Sequence, residues 1–187
     1  APVQISGIGY FASTGLSTVD YFLADPILAA GEAEAGFTEE LLVLPATHFC
    51  WQPLHSAPAP DHASAAGRGV VFGSFNNFTK LNDAVLRVWA EILRRVEGSR
   101  LFLKTDVFSH ADARAEALQR LEAAGIPLAC VTVEGASRDY LAAYNHVDIA
   151  LDPFPYPGGG TTCDALYMGV PVVTLTGESL GSRFGAS

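Results

Sequence analysis

Leu151-Asp-Pro-Phe-Pro-Tyr-Pro-Gly-Gly-Gly-Thr-Thr-Cys-Asp-Ala-Leu-Tyr-Met-Gly-Val-Pro-Val-Val-Thr-Leu175 decides how this chain folds. Val147 to Leu151 reads as a buried strand that runs into a Pro/Gly loop. Gly158, Gly159 and Gly160 then meet Thr161 and Thr162, and Cys163 to Met168 reads as a short helix stopped by Gly169. Val170 to Leu175 reads as the next strand. Glycine lets backbone approach a ligand closely, and a threonine at a helix entry offers a cap for free N–H groups. A helix start gathers N–H donors and partial positive charge, which suits a phosphate. The same residues also suit an ordinary strand–helix loop, and only the rest of the chain separates the two readings.

Upstream, the pattern is regular. Gly69 to Ser74, Leu101 to Leu103 and Leu128 to Val133 read as strands. Asn82 and Asp83 cap a helix whose apolar face is Val85, Val88, Trp89, Ile92, Leu93 and Val96. Ala111 to Ala124 reads as a helix with Leu118 and Leu121 inward and Gly125 as its stop, and Ser137 to Asn145 as another. This alternation predicts an α/β fold, a Rossmann-like doubly wound parallel sheet. Ligands of such sheets bind beyond the carboxyl ends of the strands. The segments there are Phe75 to Lys80, Lys104 to Asp106, Glu134 to Arg138, the glycine–threonine loop, and Thr176 to Ser179. Each is polar or carries glycine. Lys80, just after two asparagines at the edge of an apolar helix, is the sharpest candidate.

The first third is less regular. Val3 to Ile8, Asp20 to Asp25 and Leu41 to Leu44 read as short strands, with Ile27 to Phe37 a short helix or irregular. Gly7-Ile-Gly9-Tyr-Phe-Ala12 matches a dinucleotide fingerprint, but that fingerprint must open a helix. Ser13, Thr14, Gly15 and Ser17 keep this segment in a loop, so the match carries little weight. His48 and Cys50 lie too close in an extended segment for a metal pair, so His48 is expected to be packed or at the surface. Gln52 to Arg68, with Pro53, Pro58 and Pro60 among small residues, marks the expected boundary: residues 1–66 before it with the linker, 67–187 after it.

Composition bounds the rest. Of 187 residues, 49% are hydrophobic and 17% charged, which supports a sizeable core. Twenty acidic against eleven basic residues leave a formal charge of −9, which argues against a nucleic-acid or anionic membrane partner. Three scattered cysteines form neither a disulfide framework nor a zinc spacing and fit a reducing, cytoplasmic setting. Cys163, at a helix start, is placed where N–H dipoles favour a thiolate, although a buried inert thiol fits as well.

Together, Phe75-Asn-Asn-Phe-Thr-Lys80, Val147-Asp-Ile-Ala-Leu-Asp-Pro-Phe-Pro-Tyr156, Gly159-Gly-Thr-Thr-Cys-Asp-Ala-Leu166 and Gly169-Val-Pro-Val-Val-Thr-Leu175 resemble the bacterial O-linked N-acetylglucosaminyltransferases. Gly9-Tyr10, Ser13-Thr-Gly15 and Asp20-Tyr21 resemble the end of that family's amino-terminal catalytic lobe. The resemblance implies a GT-B fold of two Rossmann-like lobes, here with the first incomplete and the second truncated. It implies inverting transfer of N-acetylglucosamine from UDP-GlcNAc to serine or threonine hydroxyls of proteins, with tetratricopeptide repeats elsewhere in the protein. By resemblance, Lys80 contacts the donor diphosphate as the catalytic cation, with Asn77 beside it. Glu134, Gly135, Ser137 and Arg138 border the uracil. Gly159, Gly160, Thr161 and Thr162 hold the phosphates, and Asp164 the ribose. Tyr10, Thr14 and Gly15 border the sugar. The resemblance assigns Lys104 no role.

Two departures stand out. Many relatives carry a histidine in the phosphate loop where this chain has glycine near Gly159, and the histidines of the family's first lobe, one of them proposed as the base, belong to its part before Ala1, so no base is named. The sequence has no Asp-x-Asp, so cation and dipole stabilisation is expected in place of a metal, with no cofactor beyond the donor. Another GT-B enzyme such as a UDP-GlcNAc epimerase, or a UDP-binding module without catalysis, are the competing readings. An NAD oxidoreductase ranks well behind them.

Overall fold

The computed structural model describes residues 1–9, 11–31, 33–53, 59–60 and 69–187, with only the backbone of Ala33 and Glu34. Two parallel sheets organise them. Strands β1 (Ile5–Ser6), β2 (Tyr21–Ala24) and β3 (Glu40–Val43) lie side by side in that order. Five more form the second sheet: β4 (Val71–Ser74), β5 (Arg100–Lys104), β6 (Val131–Glu134), β7 (Ile149–Leu151) and β8 (Val172–Val173). Their spatial order is β6-β5-β4-β7-β8, all parallel. The chain thus steps outward from β4 to β6, then returns to the other side of β4 for β7 and β8. The reversal beside β4 is the topological switch point, where such sheets open a crevice at their carboxyl edge.

Both faces of the second sheet are covered, which is why its strands read as near-continuous apolar runs. Alternation along β5 shows the division: Leu101 and Leu103 join one core with Leu86, Trp89 and Leu121, whereas Phe102 joins the other with Tyr144, Val147 and Met168. Helix α1 (Asp83–Arg95) is capped by Asn82, whose side chain accepts from the amides of Ala84 and Val85. Val88 was expected on its inner face but is 45% exposed, and Leu86 is buried instead. The inner stripe runs through 85, 86, 89 and 93, one residue round the helix from position 88. Helix α2 (Ala111–Ala123) buries Ala117 and Leu121, and Gly125 follows it at a φ of 86°.

Several expected elements are shorter or tighter. The first strand shrinks to two residues, and the described residues of Ile27 to Phe37 form turns with a 3-10 piece over Ala33–Gly36. Leu128–Cys130 and Tyr140–His146 are 3-10 helices. The first of these is apolar but begins at Pro127, whose ring starts a turn. The third helix, α3 (Gly160–Tyr167), begins three residues before the expected Cys163. Thr161 and Thr162 are therefore inside its first turn, and Gly159 stands at the cap with no side-chain bond.

The chain's last segment, a 3-10 helix over Leu180–Ala186, returns to the first sheet. Leu180 and Phe184 complete the core built by Phe22, Ala24, Leu28 and Leu41. Beside them, buried His48 holds the carboxylate of buried Asp25 through Nδ1 at 2.8 Å. The Ser187 hydroxyl donates to the same carboxylate. His48 is thus the packed histidine of the two expected alternatives.

Candidate functional site

Strands β4 and β7 are neighbours at the switch point, and the chain leaves both at the same edge. Beyond β4 comes Asn76, beyond β7 Asp152, both buried. Asn76 Nδ2 donates to Asp152 Oδ1 at 3.4 Å, while the Gly158 amide reaches the same oxygen at 2.6 Å and Thr174 Oγ1 reaches Oδ2 at 2.9 Å. Burial raises the Asp152 carboxyl above its ordinary pKa, against the pull of these donors and of Lys80. This carboxylate ties the ends of two strands to the glycine loop. Neither Asn76 nor Asp152 was singled out from sequence. Asp152 stood within the quoted motif, but only the parallel pairing of β4 with β7 reveals what it joins.

Lys80 ends a 3-10 turn, Phe78–Lys80, that Asn77 caps through its side chain. The Lys80 ammonium donates to Asn76 Oδ1 at 3.3 Å and to the Pro157 carbonyl at 2.9 Å, and lies 4.2 Å from the centroid of the Tyr156 ring. It is half-buried, not the solvated lysine that residue type alone suggests. Burial lowers its pKa, partly offset by Asp152.

Opposite Lys80, α3 presents its first turn. Thr161 Oγ1 donates to Asn76 Oδ1 at 3.2 Å, so one asparagine oxygen serves both Lys80 and the helix. The Thr161 carbonyl accepts from Tyr144, whose ring stacks on Phe75 at 3.8 Å. The Thr162 hydroxyl is buried, with no hydrogen-bond partner among the described residues. The amides of Thr162 and Cys163 bond the Gly159 carbonyl, leaving those of Gly160 and Thr161 at the open helix start. A side chain at Gly158 has no room: its Cβ lies 2.5 Å from Thr161 Oγ1 and 2.8 Å from Thr162 Oγ1. Cys163 does not follow the thiolate expectation, because burial and the neighbouring Asp164 raise its thiol.

A cavity of about 380 Å³ adjoins this turn. Asn77, Thr161, Asp164, Gly135 and Ser137 line it, with Phe75, Lys104, Asp106 and Tyr140 among the other lining residues. Asp164 is buried and accepts from the Tyr140 hydroxyl at 3.3 Å and from the Trp51 indole. Burial raises its pKa, against both bonds. Glu134 stands at the edge, paired with Lys104, and Arg138 is exposed outside the lining. Thr14 and Gly15 do not line this cavity: Thr14 donates its amide to Glu39 Oε1 at 2.7 Å, and the Gly15 amide bonds Ser13 Oγ at 3.0 Å. Tyr10 lies outside the described residues.

Residues 60–187 match the family model for glycosyl transferase family 41. The chain belongs to that family. Curated relatives agree: it is 41% identical over 191 residues to the probable UDP-N-acetylglucosamine–peptide N-acetylglucosaminyltransferase SPINDLY of Solanum lycopersicum, and 40% to that of Arabidopsis thaliana. All of this chain is matched, but it spans only 20% and 21% of those relatives. Among solved structures, a lysine-to-methionine mutant of Thermobaculum terrenum O-GlcNAc transferase superposes with a TM-score of 0.87 at 33% identity, over 100% of this chain and 36% of that one. Sucrose-phosphate synthase from Thermosynechococcus elongatus, at 0.58 and 16% over 84% of this chain and 41% of its own, shares the fold alone. The resemblance drawn from the motifs and the GT-B fold it implied are borne out. The glycosyl transferase family 41 match spans the whole second sheet and the switch point.

Proposed function

We propose that this family 41 segment holds the donor of an inverting transferase that moves N-acetylglucosamine from UDP-GlcNAc to serine or threonine hydroxyls of proteins. The observation that carries the reading is the convergence of the Lys80 ammonium, the Thr161 hydroxyl and the open start of α3 around one buried asparagine oxygen. Cleaving a sugar–phosphate bond leaves a diphosphate with additional negative charge. A cation and helix N–H donors aimed at that charge stabilise the transition state more than the ground state. The adjoining cavity of about 380 Å³ is of a size suited to a nucleoside.

In this reading Lys80 is catalytic and Asn77, Gly159, Gly160, Thr161 and Thr162 surround the diphosphate. Asp164 takes the ribose, and Glu134, Gly135, Ser137 and Arg138 border the base. Tyr10, Thr14 and Gly15 face the sugar from the first lobe. That lobe ends within residues 1–66, and 67–187 form the nucleotide-sugar lobe. The whole protein would act in the cytoplasm, with the rest of its catalytic region and a tetratricopeptide segment as partners. It would need neither a metal nor a cofactor beyond its donor.

The test is transfer from radiolabelled UDP-GlcNAc by the full-length protein to proteins of its own proteome, with product analysis for epimerised sugar. Label on serine or threonine supports the reading. Epimerised sugar without protein label assigns a different GT-B enzyme, and binding of UDP without turnover assigns a binding module.

A further inference from the structure

The strand-end lysine Lys104 stands inside the nucleotide cavity, although no motif singles it out. It is the last residue of β5 and only 5% exposed, yet it lines the cavity together with Gly135 and Ser137. Its ammonium donates to the Gly135 carbonyl at 2.8 Å and to Glu134 Oε2 at 3.3 Å. An ammonium carries three protons, and these bonds use two. The Gly135 carbonyl has two acceptor sites, and Lys104 uses one.

That carbonyl is held in place from its other side. The Ala136 amide donates to Ser109 Oγ at 2.9 Å, and a Cβ at Gly135 would come within 2.5 Å of the same oxygen. The cavity wall therefore presents a fixed acceptor, the second lone pair of the Gly135 oxygen, beside a remaining donor on Lys104. Burying an ammonium is costly unless each proton finds an acceptor, so the third proton favours a ligand oxygen at this spot.

We propose that Lys104 determines base specificity, donating its third proton to a nucleobase carbonyl while the Gly135 oxygen it holds accepts the neighbouring ring N–H. This rests on the donor-site reading above. The pattern is that of an imide edge, where a ring N–H adjoins a carbonyl, as in uracil and in the corresponding edge of guanine. Cytosine and adenine present the reverse, a bare ring nitrogen beside an amino group. Against them, acceptor would face acceptor and the lysine would meet an N–H donor. Sites built to hydrogen-bond one pattern reject its inverse strongly, because buried polar groups are left unpaired.

The test is calorimetry of the full-length protein, wild type and Lys104→Met, with UDP, CDP and 4-thio-UDP, with thermal melts to check folding. Wild type is expected to bind UDP at least ~10-fold more tightly than CDP, and to lose affinity when sulfur, a weak acceptor, replaces the base oxygen. In Lys104→Met the affinity for UDP falls toward that for CDP and the sulfur substitution ceases to matter. A folded Lys104→Met that keeps the full preference for UDP over CDP overturns the role of Lys104 alone. If that variant does not fold, equal binding of UDP and 4-thio-UDP by wild type overturns it. Wild type that binds no nucleotide overturns the donor-site reading as well.

Discussion

Lys80 is the catalytic cation of the proposed function, and its surroundings determine what its loss would do. Its ammonium is bound by a backbone carbonyl and by the asparagine oxygen that Thr161 of α3 also reaches, and rests near the Tyr156 ring. Replacing it by alanine leaves the leaving group supported by N–H and hydroxyl donors alone. Lys80→Ala in the full-length enzyme is expected to lower transfer by at least ~100-fold, measured as initial rate at saturating donor. Arg94→Ala, on the exposed side of α1 with its guanidinium paired to Glu91, is expected to leave transfer unchanged. Retention of near-normal transfer by a folded Lys80→Ala would remove this residue from catalysis. Asp25 sets a different property, acid stability. Burial pushes its carboxyl up, but bonds from Ser187, Leu28 and His48 outweigh this and hold it at about 2, below the ordinary 3.8. A carboxyl with a depressed folded pKa binds protons more readily in the unfolded chain. Its stabilising contribution is therefore complete above pH 3.8 and is lost as pH falls toward about 2. Asp25→Asn should flatten that part of the stability–pH curve, measured by urea unfolding at stepped pH; an unchanged acid limb would contradict the assignment.

Helix α3 and the glycine loop before it act as one element, because Asp152 grips the loop while Asn76 grips the first turn. The periodicity of the chain revealed that a helix follows the glycines, but it placed the start at Cys163. The true start at Gly160 turns Thr161 and Thr162 from cap residues into first-turn residues whose hydroxyls pack beside Gly158 of the loop. Gly158→Ala tests the close packing of this element. The added methyl would meet both threonine hydroxyls and must displace the turn. Overpacking of that kind costs about 1–3 kcal/mol, and the expected outcome is a loss of UDP affinity of ~10-fold or more, read by calorimetry. Unaltered UDP binding by Gly158→Ala would show that the loop yields freely. At the other side of the site, Asn82 both caps α1 and donates to the Phe154 carbonyl at 2.8 Å. Its second bond, made across 72 residues of sequence, is invisible in the helix-start signal that identified it.

At the scale of the whole molecule, residues 180–187 bind the end of the chain to the first sheet. Phe184 is buried against Phe11, His48 and Phe49, and Arg183 donates to the carbonyls of Leu28 and Gly177. Phe184→Ala is expected to cost about 3–5 kcal/mol, measured by denaturant unfolding, because the cavity it leaves lies where two segments distant in sequence meet. A cost under ~1 kcal/mol would show that the segment contributes little to holding the sheets together. Metal independence also belongs to this scale, and the chain's Lys80 and lack of Asp-x-Asp motivate it. UDP binding by the full-length protein should persist in excess chelator; binding lost there and restored by magnesium or manganese would reject it. By itself the sequence determined the doubly wound parallel architecture, the apolar strands and capped helices, the family, and the loops that lie at the ligand edge. These follow from local rules of periodicity, capping and turn chemistry, which operate within a dozen residues. Only the tertiary structure decided that β7 returns beside β4, so that Asp152 and Asn76 meet across the switch point. It alone brought Lys104 into the cavity and carried residues 180–187 back to the first sheet. Those outcomes depend on which strand pairs with which and on contacts between residues 30 to 162 positions apart, and no local pattern of side chains records them.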